Sequence, residues 1–151
     1  MKKFILIITL FKSIALSAQE CPRIFRTSIT YSNTSLGLNY NNTPTEYAYQ
    51  VYKRTTNDRL TNSCEILDIK RPIIICEGFD FMNQVNPSDI YKMYINNNNY
   101  GNLLRSQGYD IITYNITQPT LALQTNAILF SQFIDFINKN KTGNEENIIM
   151  G

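Results

Sequence analysis

The chain has 151 residues, 43% of them hydrophobic and 17% charged, a composition that fits one globular domain and excludes a disordered segment. Its net charge of +2, with Lys and Arg scattered singly apart from Lys53-Arg54 and Lys70-Arg71, offers no basic stripe, so neither nucleic acid nor a membrane surface is expected as a partner. Histidine is absent and the three cysteines have no CxxC spacing. That excludes a Ser-His-Asp or Cys-His arrangement built from this chain alone, and no metal or cofactor is expected.

In chain order, Met1-Lys2-Lys3 and the apolar run Phe4 to Phe11 are followed by small residues at Ala15, Ser17 and Ala18. This is the pattern of a secretory signal peptide over residues 1–18, cleaved near Ser17 or Ala18, and it predicts a secreted or periplasmic protein. Lys12 interrupts the apolar run, which is too short to span a bilayer, so no membrane anchor is expected. Export places the thiols in an oxidising compartment. Cys76 reads as a core thiol. Cys21 and Cys64 either remain free or form a disulfide, whose loop of about 43 residues contributes about 4 kcal/mol in the chain-entropy model.

Residues 19–68 read as a β-rich extension. Ile29 and Tyr31 share a strand face, Asn39 to Pro44 has turn chemistry, and Tyr47, Tyr49 and Val51 alternate with Ala48, Gln50 and Tyr52. Asn57-Asp58 and Thr61-Asn62-Ser63 mark further turns. The most informative stretch comes next, Arg71-Pro-Ile-Ile-Ile-Cys-Glu-Gly-Phe-Asp80. An unbroken run of β-branched residues with no polar alternation predicts a strand covered on both faces. The run ends at Glu77-Gly78, where glycine lets the backbone turn sharply.

Asn86-Pro87-Ser88-Asp89 predicts a helix start with Ser88 as N-cap, and Ile90, Tyr91, Tyr94 and Ile95 continue at helical spacing. The asparagines 96–99 break it. Tyr100, Leu103, Leu104 and Gln107 make a second helical piece stopped by Gly108, and Tyr109 to Ile116 reads as a strand. After Pro119-Thr120 the longest helix presents Leu123, Ala127, Phe130, Ile134 and Ile137 as one apolar stripe, with Lys139 and Lys141 suited to its dipole and Gly143 to its stop. Asn147 to Gly151 begins a third apolar run. Strand-to-strand intervals of about 30 residues predict an α/β fold class, a parallel three-strand βαβαβ unit preceded by a few antiparallel strands.

The segments RPIIICEGFDFMN, LLRSQGYDIITYNI and ENIIMG together resemble the first part of an α/β-hydrolase domain, in particular exported bacterial hydrolases with an EGFD-type loop. The resemblance covers residues 69–151. It implies that Gly78 takes the glycine place of the loop after the third strand and that the Phe79 backbone N–H forms part of an oxyanion hole. Glu77 replaces the histidine often found before that glycine, and Asp80 is expected to anchor the loop. Gly151 matches the first glycine of the Gly-x-Ser-x-Gly nucleophile elbow. The serine, carboxylate and histidine of the family have no counterpart here, since Ser88 and Ser131 fall on helices with no base beside them.

The resemblance therefore implies the amino-terminal fragment of an exported serine hydrolase whose full-length form acts on a small-molecule or lipid-like ester. The chain alone is expected to be inactive and, with Ile148 and Ile149 on an unpaired edge, poorly soluble. The alternative is an exported non-catalytic α/β module that binds a ligand at the loop after Phe79 or a partner through its tyrosine-rich strands. A dinucleotide-binding fold fits less well, because Gly78 lacks the companions of a Gly-x-Gly-x-x-Gly turn.

Overall fold

A computed structural model of the chain describes residues 23–55, 66, 68–77, 84–117 and 123–151. Five strands form one sheet: β1 (Arg23–Asn33), β2 (Leu38–Tyr52), β3 (Pro72–Cys76), β4 (Asp110–Ile116) and β5 (Ile148–Met150), in the spatial order β1-β2-β4-β3-β5. Among the described residues, α1 (Pro87–Ile90) continues into a π-helical turn, Tyr91–Asn96, and α2 (Tyr100–Ser106) and α3 (Leu123–Asn140) follow.

The sheet corrects the expected fold class. It is a mixed sheet in which antiparallel pairing dominates, and not a parallel βαβαβ unit with strands added in front. The two longest strands, β1 with 11 residues and β2 with 15, form an antiparallel ladder from Arg23↔Tyr49 to Asn33↔Leu38. β2 then pairs antiparallel with β4 from Tyr47↔Ile116 to Tyr52↔Ile111, so the amino-terminal hairpin is built into the sheet. The pairings of β3 with β4 and with β5 are parallel and shorter, Pro72↔Asp110 to Cys76↔Tyr114 and Ile73↔Ile148 to Ile75↔Met150. Hydrophobic spacing specifies which residues face the core. It carries no information about how much of the sheet the antiparallel β1–β2 hairpin supplies, and that is where the sequence-based expectation failed.

Both faces of the central strands are covered. Alternation along β3 sends Ile74 to one side and Ile73 and Ile75 to the other, and all three are buried. Ile74 joins Tyr47, Tyr49, Ile112 and Tyr114 beneath Leu129, Phe133 and Ile137 of α3. The Phe133 ring sits 4.8 Å from Tyr114 and 5.4 Å from Tyr49, within the range of aromatic pairing. Ile73 and Ile75 pack with Ile111, Tyr52, Ile90, Tyr91 and Ile95 on the opposite face. β5 lies outside both layers: Ile148, Ile149 and Met150 are all exposed.

Three local expectations are also corrected. The turn between β1 and β2 lies at Thr34–Gly37, where Asn33 Oδ1 accepts from the Leu36 N–H at 3.2 Å and Gly37 takes φ +65°. Asn39 to Pro44 belongs to β2. This part of the strand runs past the end of β4, and its free edge tolerates a residue with no N–H. The N-cap of α1 is Asn86, not Ser88: its side-chain oxygen accepts from the N–H groups of Ser88 (2.9 Å) and Asp89 (3.1 Å), and the Asp89 carboxylate accepts from the Asn86 N–H (3.4 Å). The buried stripe of α3 is Thr125, Leu129, Phe133 and Ile137, one residue in each turn, while Leu123 is 80% exposed and Ala127 faces solvent.

Candidate functional site at the carboxyl ends of β3 and β5

Because β3, β4 and β5 are mutually parallel, Cys76, Ile116 and Met150 end at the same side of the sheet. In open sheets with helical cover, that side is where ligands bind. A cavity of about 190 Å³ opens there, lined by Ile75, Cys76, Tyr94, Ile95, Met150 and Gly151. Ile75 and Ile95 are buried and form its floor, while Tyr94 (66% exposed) and Met150 (46% exposed) stand at its mouth. Tyr94 and Ile95 reach the cavity from the π-helical turn, a widened form of helix that recurs at functional sites.

Two polar side chains fix the approach to this site. β4 alternates Tyr114 toward α3 with Thr113 and Asn115 toward α1. The buried Thr113 hydroxyl donates to the Pro87 carbonyl at 2.8 Å, and the Asn115 side-chain N–H donates to the Val85 carbonyl. Together they hold the segment that enters α1 against the sheet. On the β3 side, the Glu77 N–H donates to the Tyr114 carbonyl at 3.1 Å and carries the ladder one residue past the strand.

The Cys76 thiol is free, half-buried, and pushed up by burial to about 11. At neutral pH it is overwhelmingly protonated and is a poor nucleophile. Burial also drives the Tyr47 and Tyr114 hydroxyls well above the usual phenol range, so neither is a base. Among the described residues no group of three or more His, Cys, Asp or Glu side chains is arranged to hold a metal, and no helix is long and apolar enough to cross a membrane.

The opposite end of the sheet carries the charge. Asp110, fully buried at the start of β4, accepts from the Arg54 guanidinium (2.7 Å), the Arg54 backbone N–H (2.9 Å) and the Lys70 backbone N–H (2.9 Å). Arg54 also bonds Asp68, whose other oxygen accepts from the Thr142 hydroxyl at 2.7 Å. The hydrogen bond from Thr142, helped by Arg54, holds the Asp68 carboxyl below its ordinary value against the opposing effect of burial. Lys53 donates to the Asp68 carbonyl at 2.8 Å, and burial lowers its pKa despite the nearby Asp110. Arg105, also buried, donates to the Lys53 carbonyl at 2.6 Å. Every charge in this cluster is engaged with protein groups, and the cluster serves as a structural anchor.

Of the residues expected to form a site, Gly151 lies in the cavity wall, where a Cβ in its place would stand 3.9 Å from the Cys76 Cβ. Gly78, Phe79 and Asp80 lie outside the described residues, as do Cys21, Cys64 and the signal-peptide segment. Ser88 is buried beside its N-cap and Ser131 faces solvent on α3. Sequence reasoning missed Tyr94, Ile95 and Met150 as lining residues, because spacing assigned the first two to a core stripe and the third to a strand. It also passed over Thr113 and Asn115, and their only signal was polarity inside an apolar strand. No family model matches the sequence, no curated protein matches it, and no solved structure matches the fold.

Proposed function

We propose that these residues belong to an exported serine hydrolase that cleaves esters through an acyl-enzyme, with the nucleophile, its histidine and its acid supplied from outside the 151 residues. The observation that carries this reading is the apolar cavity at the carboxyl end of β3, with Gly151 in its wall and the sequence Glu77-Gly78-Phe79-Asp80 following the strand. In this mechanism a serine hydroxyl attacks the ester carbonyl carbon and passes its proton to the histidine. The carbonyl electron pair moves onto oxygen, where the Phe79 N–H stabilises it without reorganisation. Collapse expels the alcohol, which takes up the proton, and water then releases the acid from the acyl-enzyme.

The absence of histidine and the protonated Cys76 thiol favour a second reading, an exported non-catalytic module that binds a ligand in the same cavity. One experiment separates the two. The transcript is read across the Gly151 codon, and the protein secreted by its natural host is exposed to a fluorophosphonate probe. The hydrolase reading expects x-Ser-x-Gly after Gly151, Asp and His further on, and labelling at that serine. A stop codon directly after Gly151 together with an unlabelled protein refutes it and leaves the binding module.

A further inference from the structure

We infer that the cavity between β3, β5 and the π-helical turn is a subsite for an aliphatic acyl group of about six carbons, since an apolar cavity of about 150 Å³ holds a benzene molecule. Its volume is about 190 Å³ and its walls are Ile75, Ile95, Met150, Gly151, the Cys76 thiol and the Tyr94 ring. No charged side chain lines it. A sugar hydroxyl or an ionised group placed inside would surrender its water without a compensating partner, whereas a hydrocarbon loses nothing by entering. The floor of two buried isoleucines is fixed by the core on the α1 face, so the depth of the cavity is set by packed structure. The mouth is made by exposed Tyr94 and Met150 and adjoins the end of β3 at Cys76. A chain lying in the cavity therefore leaves its polar end beside that strand end, where the reading above puts the ester carbonyl. The subsite deepens the hydrolase reading by naming the acyl side of its substrate, and it rests on that reading only for the chemistry at the mouth.

The test is a titration of the protein with methyl esters of straight-chain acids from two to twelve carbons, read at the methyl resonances of its methionines. Met150 reports from the mouth. Met93, half-exposed on the same π-helical turn and outside the lining, is the control. The expected result is that Met150 shifts and Met93 stays put, with affinity rising up to about fourfold per added methylene until about six carbons and levelling beyond. Affinity that does not depend on chain length, or equal shifts at both methionines, overturns the subsite.

Met150→Phe narrows the mouth at an exposed position that tolerates a larger side chain, and by calorimetry it moves the break to shorter chains. An unmoved break overturns the assignment of the walls. This readout requires no turnover. A break together with a stop codon after Gly151 and an unlabelled host protein removes the hydrolase reading and keeps the subsite, while a labelled host protein with a flat series does the reverse.

Discussion

Replacing Asp110 tests the claim that the charged end of the sheet holds the fold together. The carboxylate is fully buried and accepts three hydrogen bonds, two from backbone N–H groups and one from the Arg54 guanidinium. In Asp110→Asn the shape is nearly kept, but an NH2 group replaces one acceptor and the charge is gone. Hydrogen bonds to charged groups contribute about 1.5–3 kcal/mol each, and breaking one partner out of a buried pair costs about 3–5 kcal/mol. Arg54 keeps Asp68 as a second carboxylate partner, which places the expected loss at the lower end, about 3 kcal/mol. For a chain of this size that lowers the melting temperature by roughly 6–12 °C. Urea unfolding followed by circular dichroism should show a lower midpoint with an unchanged slope. Arg54→Met should also cost much less in the Asp110→Asn background than in the parent, because the two share one interaction. A loss under about 1 kcal/mol, or additive single and double variants, would refute the anchoring role.

The pH dependence follows from Cys76. Its folded pKa of about 11 lies above the ordinary 9.0, so the stability tied to the neutral thiol is complete below about pH 9 and is lost as pH rises toward 11. Cys76→Ala should flatten the stability curve in that window, and superimposable curves would contradict the burial of the thiol. Asn86→Ala should destabilise by about 1 kcal/mol in urea titrations while Asn86→Asp is nearly neutral, since aspartate offers the same acceptor to the Ser88 and Asp89 N–H groups. Gly101→Ala sets two effects against each other. Alanine gains about 1 kcal/mol of helix propensity, but its Cβ would fall 2.2 Å from the Tyr91 hydroxyl oxygen. Tyr91 is buried and stacked on Tyr52 at 3.6 Å, so it cannot move aside freely. Overpacking of about 1–3 kcal/mol should prevail, with partial recovery in the Gly101→Ala, Tyr91→Phe double variant measured by the same titration.

What was legible in the sequence was burial wherever consecutive residues carry it. Ile73, Ile74 and Ile75 in a row can satisfy three β-branched side chains only between two covering layers, and both layers are present. The α3 stripe was misassigned because Phe130 and Ile134, which are only partly buried, resemble Leu129 and Phe133 in hydrophobicity. Deciding between them needs to know that the helix meets Tyr49 and Tyr114. The β1–β2 turn was misplaced because Asn39 to Pro44 has stronger turn composition than Thr34–Gly37. An Asn33 cap and one left-handed glycine outweigh composition there. The anchor was invisible because its members are far apart in the chain, 56 residues between Arg54 and Asp110 and 74 between Asp68 and Thr142.

These positions also explain why the two ends of the sheet differ in chemistry. Charged residues cluster where the chain enters β3 and β4 and leaves β2, and there Asp110 and Asp68 tie the ends of β2, β4 and α3 to the segment before β3. Anchored at that end, the parallel strands have a fixed register and direction. The opposite end carries the cavity, the exposed Tyr94 and the uncovered β5, and there the side chains of Thr113 and Asn115 bond β4 to the segment entering α1. Ligand-binding segments are drawn from the less stable parts of a fold. Loss of Asp110 should therefore loosen the anchor first and reach the cavity only through global unfolding. Loss of Thr113 or Asn115 should instead alter acyl-ester affinity at urea concentrations where the sheet is still intact.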